Sequence, residues 1–373
     1  MTDPIPIRRI RTNGAVDLIG HYAHTERRLE LAAPGFPLSG VGNHEVDGDL
    51  PWVLEEMAPS GFLARRFSGW YAGLTLPVDR NLWTAQHVLS AVTECGHDLP
   101  GNLVVGEGSW ERYRRIFQAG TKPGPDPIAA RDHYLHFVDD ILSEPGGSSV
   151  GGERPKFSLR LADGGAALVK FTPPLDTPAG VRWADLLRME QHTSATLQSA
   201  GIPAVTSRYV ELGSRGYLEV DRYDRLAGGG RRGAVTFYWL GLALFSEAGP
   251  QAVPTITRSL ASTGVLTPEE AELVVRIHQF SASVGNTDAH TGNYGLLIDD
   301  EGHTSLAPFF DISPMIFAPR HDELPDHRIA PRFPAPTADN APLVHELHDR
   351  ARADAGVSRA FLDSWSRRLT LAR

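Results

Sequence analysis

Four short segments in the middle of this 373-residue chain alternate apolar and polar residues. The first two flank Asp163-Gly-Gly165, and a glycine-containing turn between two alternating runs is typical of a β-hairpin. The second two are joined by Gly213-Ser-Arg-Gly216. Strands are therefore predicted at 157–162, 166–172, 204–211 and 216–222.

Helical spacing of apolar residues occurs on both sides of these strands. From residue 235 onward it dominates, and Pro268 followed by Glu269 and Glu270 favours a helix start. Helices are predicted at 82–95, 109–119, 130–142, 182–200, 235–247 and 268–284. A last hairpin is predicted over 294–298 and 304–307.

Composition shifts divide the chain into three predicted regions. A run rich in glycine and serine at 143–152 interrupts any regular element. We predict an N-terminal subdomain at 1–145, a β-rich lobe at 146–225 and a mostly helical lobe at 226–373. Strands with one helix, followed by helices, suit an α+β catalytic unit whose site lies in the cleft between two lobes.

Composition and charge narrow the class of protein. Apolar residues make up 41% and charged residues 22% of the chain, as in ordinary globular proteins. The formal charge of −9 argues against gripping nucleic acid as the main role, because such proteins carry a basic face. The lone cysteine, Cys95, cannot form an intramolecular disulfide, and no apolar run reaches the length of a membrane span. A cytoplasmic protein is expected.

The segment Asn286-Thr-Asp-Ala-His-Thr-Gly-Asn293 carries the clearest candidate chemistry. Phosphoryl transfer needs a carboxylate beside the attacking hydroxyl and an oxygen ligand for magnesium nearby. Asp288 and Asn293, five positions apart on one loop, can supply both. Asn, Asp, Thr and Gly also form tight turns, so a purely structural turn is the alternative.

Asp311 ends the segment Leu306-Ala-Pro-Phe-Phe-Asp311, which follows the last predicted hairpin. A carboxylate directly after an apolar strand can reach a metal ion from a firm base, which is the role of the aspartate in the Asp-Phe-Gly motif of protein kinases. The glycine of that motif is absent here. A helix N-cap before Ile312 is the alternative.

Lys170 and Glu190 are polar residues in apolar surroundings. Lys170 interrupts the apolar strand 166–172, and Glu190 lies on the apolar face of the helix at 182–200. A buried ammonium and a buried carboxylate each need a partner, so we predict that they pair. In kinases such a lysine contacts the α- and β-phosphates of ATP. An exposed edge-strand lysine and a peripheral glutamate are the alternative.

Two further segments adjoin these residues. The Gly- and Ser-rich loop at 146–156 precedes the hairpin that carries Lys170, where free N–H groups can wrap phosphates; a linker is the alternative. The segment 221–225, Asp-Arg-Tyr-Asp-Arg, lies at the junction of the lobes, where its backbone would contact adenine. Surface salt bridging is the alternative for its charges.

Taken together, these blocks resemble the HipA family of serine/threonine kinases, the toxins of bacterial toxin–antitoxin pairs. Ser149–Lys156 is similar to the phosphate loop of the family, and Leu168-Val-Lys170-Phe to its ATP-lysine strand. The segments 221–225, 284–293 and 306–311 resemble its hinge, catalytic loop and metal-binding step. The match runs from about residue 145 to 320, and the spelling is closest to the YjjJ-like branch.

The resemblance implies a two-lobed protein-kinase fold and the use of ATP and Mg²⁺. Asp288 would be the catalytic base, Asn293 and Asp311 would hold magnesium, and Lys170, oriented by Glu190, would contact phosphates. Other nucleotide contacts are implied for Val150, Gly151, Gly152, Lys156, Asp221, Arg222, Tyr223 and His290.

The resemblance also implies partners and a modification site. The phosphate-loop serine that some relatives phosphorylate on themselves corresponds to Ser149. A protein substrate, an aminoacyl-tRNA synthetase in some relatives, and a HipB-like antitoxin are implied, with DNA reached only through such a partner. The chain departs from the family at Pro155, which removes one N–H donor from the loop, and at Asp221, where the family has Glu.

Two other functions remain open from the sequence. Small-molecule phosphotransferases use a similar Asp-x4-Asn loop, although the Ser149 block and the large N-terminal region favour a protein kinase. A non-catalytic regulator acting with an antitoxin at DNA is the third reading. It is disfavoured because every expected catalytic position is filled.

Overall fold

The structure is a computed structural model, and it describes residues 4–31, 50–59, 61–118, 131–143, 155–161, 165–246, 252–320, 323–325 and 332–369. Its strands form three antiparallel sheets, in the orders β3-β2-β1-β4, β5-β6-β8-β7 and β11-β10-β9. The strands are β1 (Ile5–Ile10), β2 (Val16–Ala23), β3 (Arg28–Leu31), β4 (Leu103–Val105), β5 (Lys156–Arg160), β6 (Ala166–Phe171), β7 (Ser207–Leu212), β8 (Arg215–Asp221), β9 (Gly233–Thr236), β10 (Gly295–Ile298) and β11 (Thr304–Leu306).

Helices fill the space between and around these sheets. They are α1 (Trp52–Met57), α2 (Gly61–Trp70), α3 (Ala85–Cys95), α4 (Glu107–Tyr113), α5 (Tyr134–Ser143), α6 (Pro178–Ser199), α7 (Phe237–Phe245), α8 (Val253–Ser262), α9 (Pro268–Ser283), α10 (Ala341–Ala353) and α11 (Arg359–Ser366). The expected α+β architecture is therefore confirmed. The domain boundaries at 145 and 225 stay predictions.

The first sheet was not predicted from the sequence. Its strand β1 is buried on both faces, including Arg9, which is 6% exposed. A strand buried on both faces shows no alternation, and Pro6 and two arginines further weaken the strand pattern. The sheet packs with α1 and α3 into the same core cluster that contains the C-terminal helices.

The second sheet lies between two helices. Phe157, Val169 and Tyr217 face α5, where Tyr134 and Val138 complete a buried cluster. The opposite face carries Leu218, which packs against Leu187 of α6. The predicted strands at 157–162 and 166–172 pair as β5 and β6, with Lys156 opposite Lys170 in the register. Because side chains alternate along a strand, both lysines point toward the α6 face.

The third sheet supports the segment at 286–293. Helix α9 begins at Pro268, as predicted, behind a capping box of Thr267 and Glu270, and it ends at Ser283. Strand β10 follows the loop and pairs with β9 and β11. The prediction of a helix from 235 was wrong for the first two residues. Val235 and Thr236 belong to β9, and Thr236 caps the helix that follows.

The N-terminal part is joined to the lobe junction by a buried ionic network. Arg225 donates to Asp98, to the Gly101 carbonyl and to Asp224 at 2.7–2.9 Å, while Arg222 contacts Asp98 and Asp224 at 2.9–3.2 Å. Asp224 also accepts from the Gly101 N–H at 2.9 Å. With three arginines close by, the pKa of Asp98 falls to about 2 although burial acts in the opposite direction.

A second contact fastens the β1–β2 hairpin to the β10–β11 turn. The Asp300 carboxylate accepts hydrogen bonds from the main-chain N–H and the hydroxyl of Thr12 at 3.1 and 2.6 Å. The Asp300 carbonyl accepts one from Arg9 at 3.1 Å. The N-terminal sheet is thus bonded to the hairpin that follows the 286–293 loop.

Candidate functional site

Lys170 lies between two carboxylates from different parts of the chain. Its Nζ donates to Glu190 at 2.7 and 2.9 Å and to Asp311 at 2.6 Å. Burial opposes its charge, but Asp311 and Glu190 outweigh burial and raise the pKa of Lys170. The pairing with Glu190 is the one expected from the sequence. The contact with Asp311 was not foreseen, because the sequence suggested only a metal-binding role for that residue.

Lys170 lowers the pKa of both carboxylates, but their net pKa shifts have opposite signs. Glu190 is 4% exposed, and burial raises its pKa despite the nearby ammonium. Burial also acts on Asp311, but Lys170 and Lys156 outweigh it and lower the pKa of Asp311. Asp311 therefore remains ionised at neutral pH and is the better candidate for a metal ligand.

Asp311 is held in an unusual backbone conformation. Its φ of +59° lies in the left-handed region, which residues other than glycine rarely adopt. Two residues earlier, the Phe309 N–H donates to the Pro203 carbonyl at 2.9 Å, and the Phe309 carbonyl accepts from the Val205 N–H at 3.0 Å. These bonds anchor the segment that leads into Asp311, whose carboxylate lies against Lys170.

The 286–293 loop is both a tight turn and a gathering of polar groups. The Asn286 side chain accepts from the Asp288 N–H at 3.0 Å, and its amide donates to Ser281 at 2.9 Å. Asn293 donates to the Asp288 carbonyl at 3.1 Å. Because the Asn293 amide nitrogen is used there, its oxygen is available as a ligand for a hard cation. The loop is therefore a hydrogen-bonded turn, as the structural alternative predicted, and it also presents the groups expected of a phosphoryl-transfer site.

Asp288 lies on the exposed side of this loop. Partial burial and the nearby charge of Asp311 raise its pKa, whereas His290, Lys170 and Lys156 act to lower it. His290 is also exposed, and its Nδ1 accepts from the Gly292 N–H at 3.0 Å. Asp288 and Asp311 are thus close enough for the charge of one to influence the other.

The junction segment 221–225 divides its residues between two tasks. The Asp221 N–H bonds to the Thr206 carbonyl at 2.9 Å, and the Arg222 N–H bonds to Ala166 at 2.8 Å. The side chain of Arg222 is committed to Asp98 and Asp224, so its charge serves a buried network rather than a surface salt bridge. The Tyr223 ring lies 5.9 Å from that of Phe310, beside Asp311.

The predicted phosphate loop lies mostly outside the described residues. Ser149, Val150, Gly151 and Gly152 belong to that part. Lys156 is described as the first residue of β5, and it favours the ionised forms of Asp311, Glu190 and Asp288. A second cationic side chain therefore faces the carboxylates from the β5 edge.

Sequence reasoning missed Glu56, which lies in α1 and reaches this region. Its carboxylate accepts from the main-chain N–H and the hydroxyl of Thr236 at 3.1 and 3.0 Å. Nothing in Trp52-Val-Leu-Glu-Glu-Met57 distinguishes Glu56 from its neighbour Glu55, so no sequence signal could have found it.

Comparisons with known proteins give the family. The protein-family model for the middle domain of YjjJ-like toxins matches residues 1–114, and the family model for the HipA-like C-terminal domain matches residues 148–361. Toxin YjjJ of Escherichia coli strain K12 is 31% identical over 96% of this chain and 81% of its own length. The chain belongs to the HipA-like toxin family, in its YjjJ-like branch. The resemblance read from the sequence is confirmed.

A solved structure agrees on the fold of this HipA-like protein. A chain of the Shewanella oneidensis MR-1 complex of HipA, HipB and operator DNA superposes with a TM-score of 0.55 at 16% identity, over 97% of this chain and 88% of that one. This confirms the two-lobed HipA-like fold. CtkA, a proinflammatory kinase of Helicobacter pylori, gives a TM-score of 0.42 at 14% identity over 61% of this chain and 92% of its own. Among the described helices, none is long and apolar enough to cross a membrane.

Proposed function

We propose that this HipA-like protein is an ATP- and Mg²⁺-dependent serine/threonine protein kinase that acts as a growth-inhibiting toxin. The observation that carries the proposal is the ammonium of Lys170 bound by both Glu190 and Asp311, near a loop in which Asn293 bonds to Asp288. A buried lysine of this kind, a base and an oxygen-ligand pair are the parts that phosphoryl transfer from ATP requires.

In the proposed reaction a substrate hydroxyl attacks the γ-phosphorus of ATP. The new oxygen–phosphorus bond forms as the bond to the β,γ-bridging oxygen breaks, ADP leaves, and Asp288 accepts the hydroxyl proton. Lys170 neutralises phosphate charge and Glu190 keeps it in place. Asn293 and Asp311 would hold magnesium, which would neutralise charge on the phosphates. Positioning and charge neutralisation account for most of the rate in this scheme.

The same proposal extends to Ser149 and to partners. Phosphate on Ser149 would add roughly −1.5 to −2 charge where ATP phosphates should bind, and would switch the kinase off. A HipB-like antitoxin and an aminoacyl-tRNA synthetase substrate are proposed from the family resemblance. DNA would be reached through the antitoxin.

Transfer of label from γ-labelled ATP to the chain itself tests this function. The wild type should label itself and lose activity during preincubation with ATP and magnesium. Asp288→Asn should remove labelling while leaving the thermal unfolding midpoint nearly unchanged, because Asp288 is exposed. Ser149→Ala should remove self-inactivation but keep transfer to an added protein. Normal turnover in Asp288→Asn would reject the mechanism, and unchanged self-inactivation in Ser149→Ala would reject the switch.

A further inference from the structure

Glu56 lies close to the end of the catalytic loop although it belongs to the N-terminal part of the chain. It binds both the N–H and the hydroxyl of Thr236. Thr236 pairs in the β9–β10 register with Gly295, two residues after Asn293. The next residue, Phe237, donates its N–H to the Tyr294 carbonyl at 2.9 Å. The Glu56 carboxylate is therefore fixed beside the chain segment that leaves the loop.

The lobe junction also lies near Glu56. Burial, and then the carboxylates of Asp224 and Glu56, raise the pKa of Tyr223, so Glu56 lies within electrostatic reach of that phenol. The Tyr223 ring in turn contacts Phe310, the neighbour of Asp311. Glu56 thus lies near both the junction, where adenine is proposed to bind, and the segment that leaves the loop, where the phosphates are proposed to react.

The chemistry of Glu56 favours a neutral hydrogen-bond donor as its ligand. In the described parts of the chain its carboxylate forms no ion pair, and burial without a cation raises its pKa to about 7. A carboxylate offers about four acceptor positions, of which Thr236 uses two. Two positions remain for donors, and above about pH 7 the ionised carboxylate repels phosphate oxygens.

We propose that Glu56 accepts hydrogen bonds from the 2′- and 3′-hydroxyls of the nucleotide ribose, so that the N-terminal part of the chain completes the nucleotide site. This inference rests on the proposed ATP-dependent function. A nucleotide with its base at Tyr223 and its phosphates at Lys170 has its ribose between them, and two adjacent hydroxyls match the two remaining acceptor positions.

Calorimetric titration of the full chain with ADP, 2′-deoxy-ADP and 3′-deoxy-ADP, each with magnesium, tests the inference without turnover at about pH 8.5, where Glu56 is ionised. The wild type should bind ADP about tenfold or more tightly than either deoxy nucleotide, the usual effect of a hydrogen bond to a charged group. Glu56→Ala should bind all three with similar affinity. Glu55→Ala is the matched control, since Glu55 pairs with Arg80 at 3.2 Å instead, and it should keep the wild-type ratio.

The ratio between nucleotides is the decisive measurement, because loss of the Thr236 contacts would weaken all three equally and leave it unchanged. If Glu56→Ala does not fold, Glu56→Gln should show a ratio below that of the wild type. A wild-type ratio in either variant overturns the inference, as does a wild type that binds the three nucleotides equally. In those outcomes ADP still binds, so the proposed kinase survives. A wild type that binds none of the three nucleotides would reject both the role of Glu56 and the proposed kinase function.

Discussion

Lys170 is the buried cation of the site, and its removal would leave two carboxylates without a compensating charge. Its side chain is 6% exposed and compensates two carboxylates. Removing one member of a buried ionic group leaves the others without compensation, which costs more than the intact group contributes. The stability of the chain and its proposed activity therefore depend on Lys170 for separate reasons.

We expect Lys170→Met to lower the free energy of unfolding by about 3 kcal/mol or more and to abolish phosphoryl transfer. Urea unfolding and labelled-ATP assays measure the two effects. The double variant Lys170→Met/Glu190→Gln should recover part of the stability, since Glu190 no longer needs a cation, but none of the activity. Equal stability of wild type and single variant would contradict the buried-ion account.

Residue-level prediction succeeded where a polar side chain interrupted an apolar pattern. Lys170 and Glu190 each broke the pattern of their own element, so their pairing could be inferred 20 positions apart. Asp311 and Glu56 carry no such signal for their contacts with Lys170 and Thr236, which join positions 141 and 180 apart. Those contacts depend on how sheets and lobes pack, which local pattern does not encode.

At the scale of elements, helix α6 holds Glu190 in place because hydrogen bonds and an ion pair fix this helix to the segment between α10 and α11. The Asp185 carboxylate accepts from the N–H and hydroxyl of Ser358 at 2.7 and 2.6 Å. Asp354 accepts from Arg188 at 3.3 Å and from His192 at 2.8 Å. These contacts lie within five positions of Glu190 on either side.

Ser358→Ala should lower the free energy of unfolding by about 1–2 kcal/mol, because it removes the N-cap of α11 and a hydrogen bond to buried Asp185. It should also lower kcat more than it raises KM for ATP, since the position of Glu190 depends on α6. Ser262→Ala, an exposed serine of α8, is the control and should change neither. A purely structural role for Ser358 would leave kcat unchanged at temperatures where both variants are folded.

Elements with clear periodicity and caps were predicted best. The start of α9 followed from Pro268, Glu269 and Glu270, and the β5–β6 hairpin from its glycine turn. Helix α6 begins at Pro178, four residues before its predicted start, since Thr177 caps a first turn that lacks the apolar stripe. The N-terminal sheet was missed because β1 is buried on both faces and therefore shows no alternation of apolar and polar residues.

At the scale of the whole molecule, the Asp98 network links the N-terminal part to the lobe junction and makes stability depend on pH. The pKa of Asp98 is about 2 in the folded chain against an ordinary value of 3.8. A depressed carboxyl pKa stabilises the fold above the unfolded value, and that contribution is lost as pH falls from about 4 to 2. The shift corresponds to roughly 2 kcal/mol.

Asp98→Asn should therefore lose about 2 kcal/mol of stability at pH 7, because the largely buried cations Arg222 and Arg225 lose a charged partner. Between pH 4 and 2 its stability should fall less steeply than that of the wild type. Urea unfolding at several pH values measures both slopes, with Asp363→Asn at an exposed position of α11 as the control. Parallel slopes for wild type and Asp98→Asn would refute the assignment.

The hydrogen bonds that Thr12 and Arg9 donate to Asp300 have a consequence for biosynthesis. These bonds join residues 288 and 291 positions apart. At 5–20 residues per second a ribosome needs roughly 15–60 s to make the intervening chain. The first sheet thus emerges long before its partner, and contacts of such high sequence separation form slowly. The rate of translation, rather than the strength of these hydrogen bonds, sets how long the surface of the first sheet at Thr12 and Arg9 stays uncovered in the nascent protein.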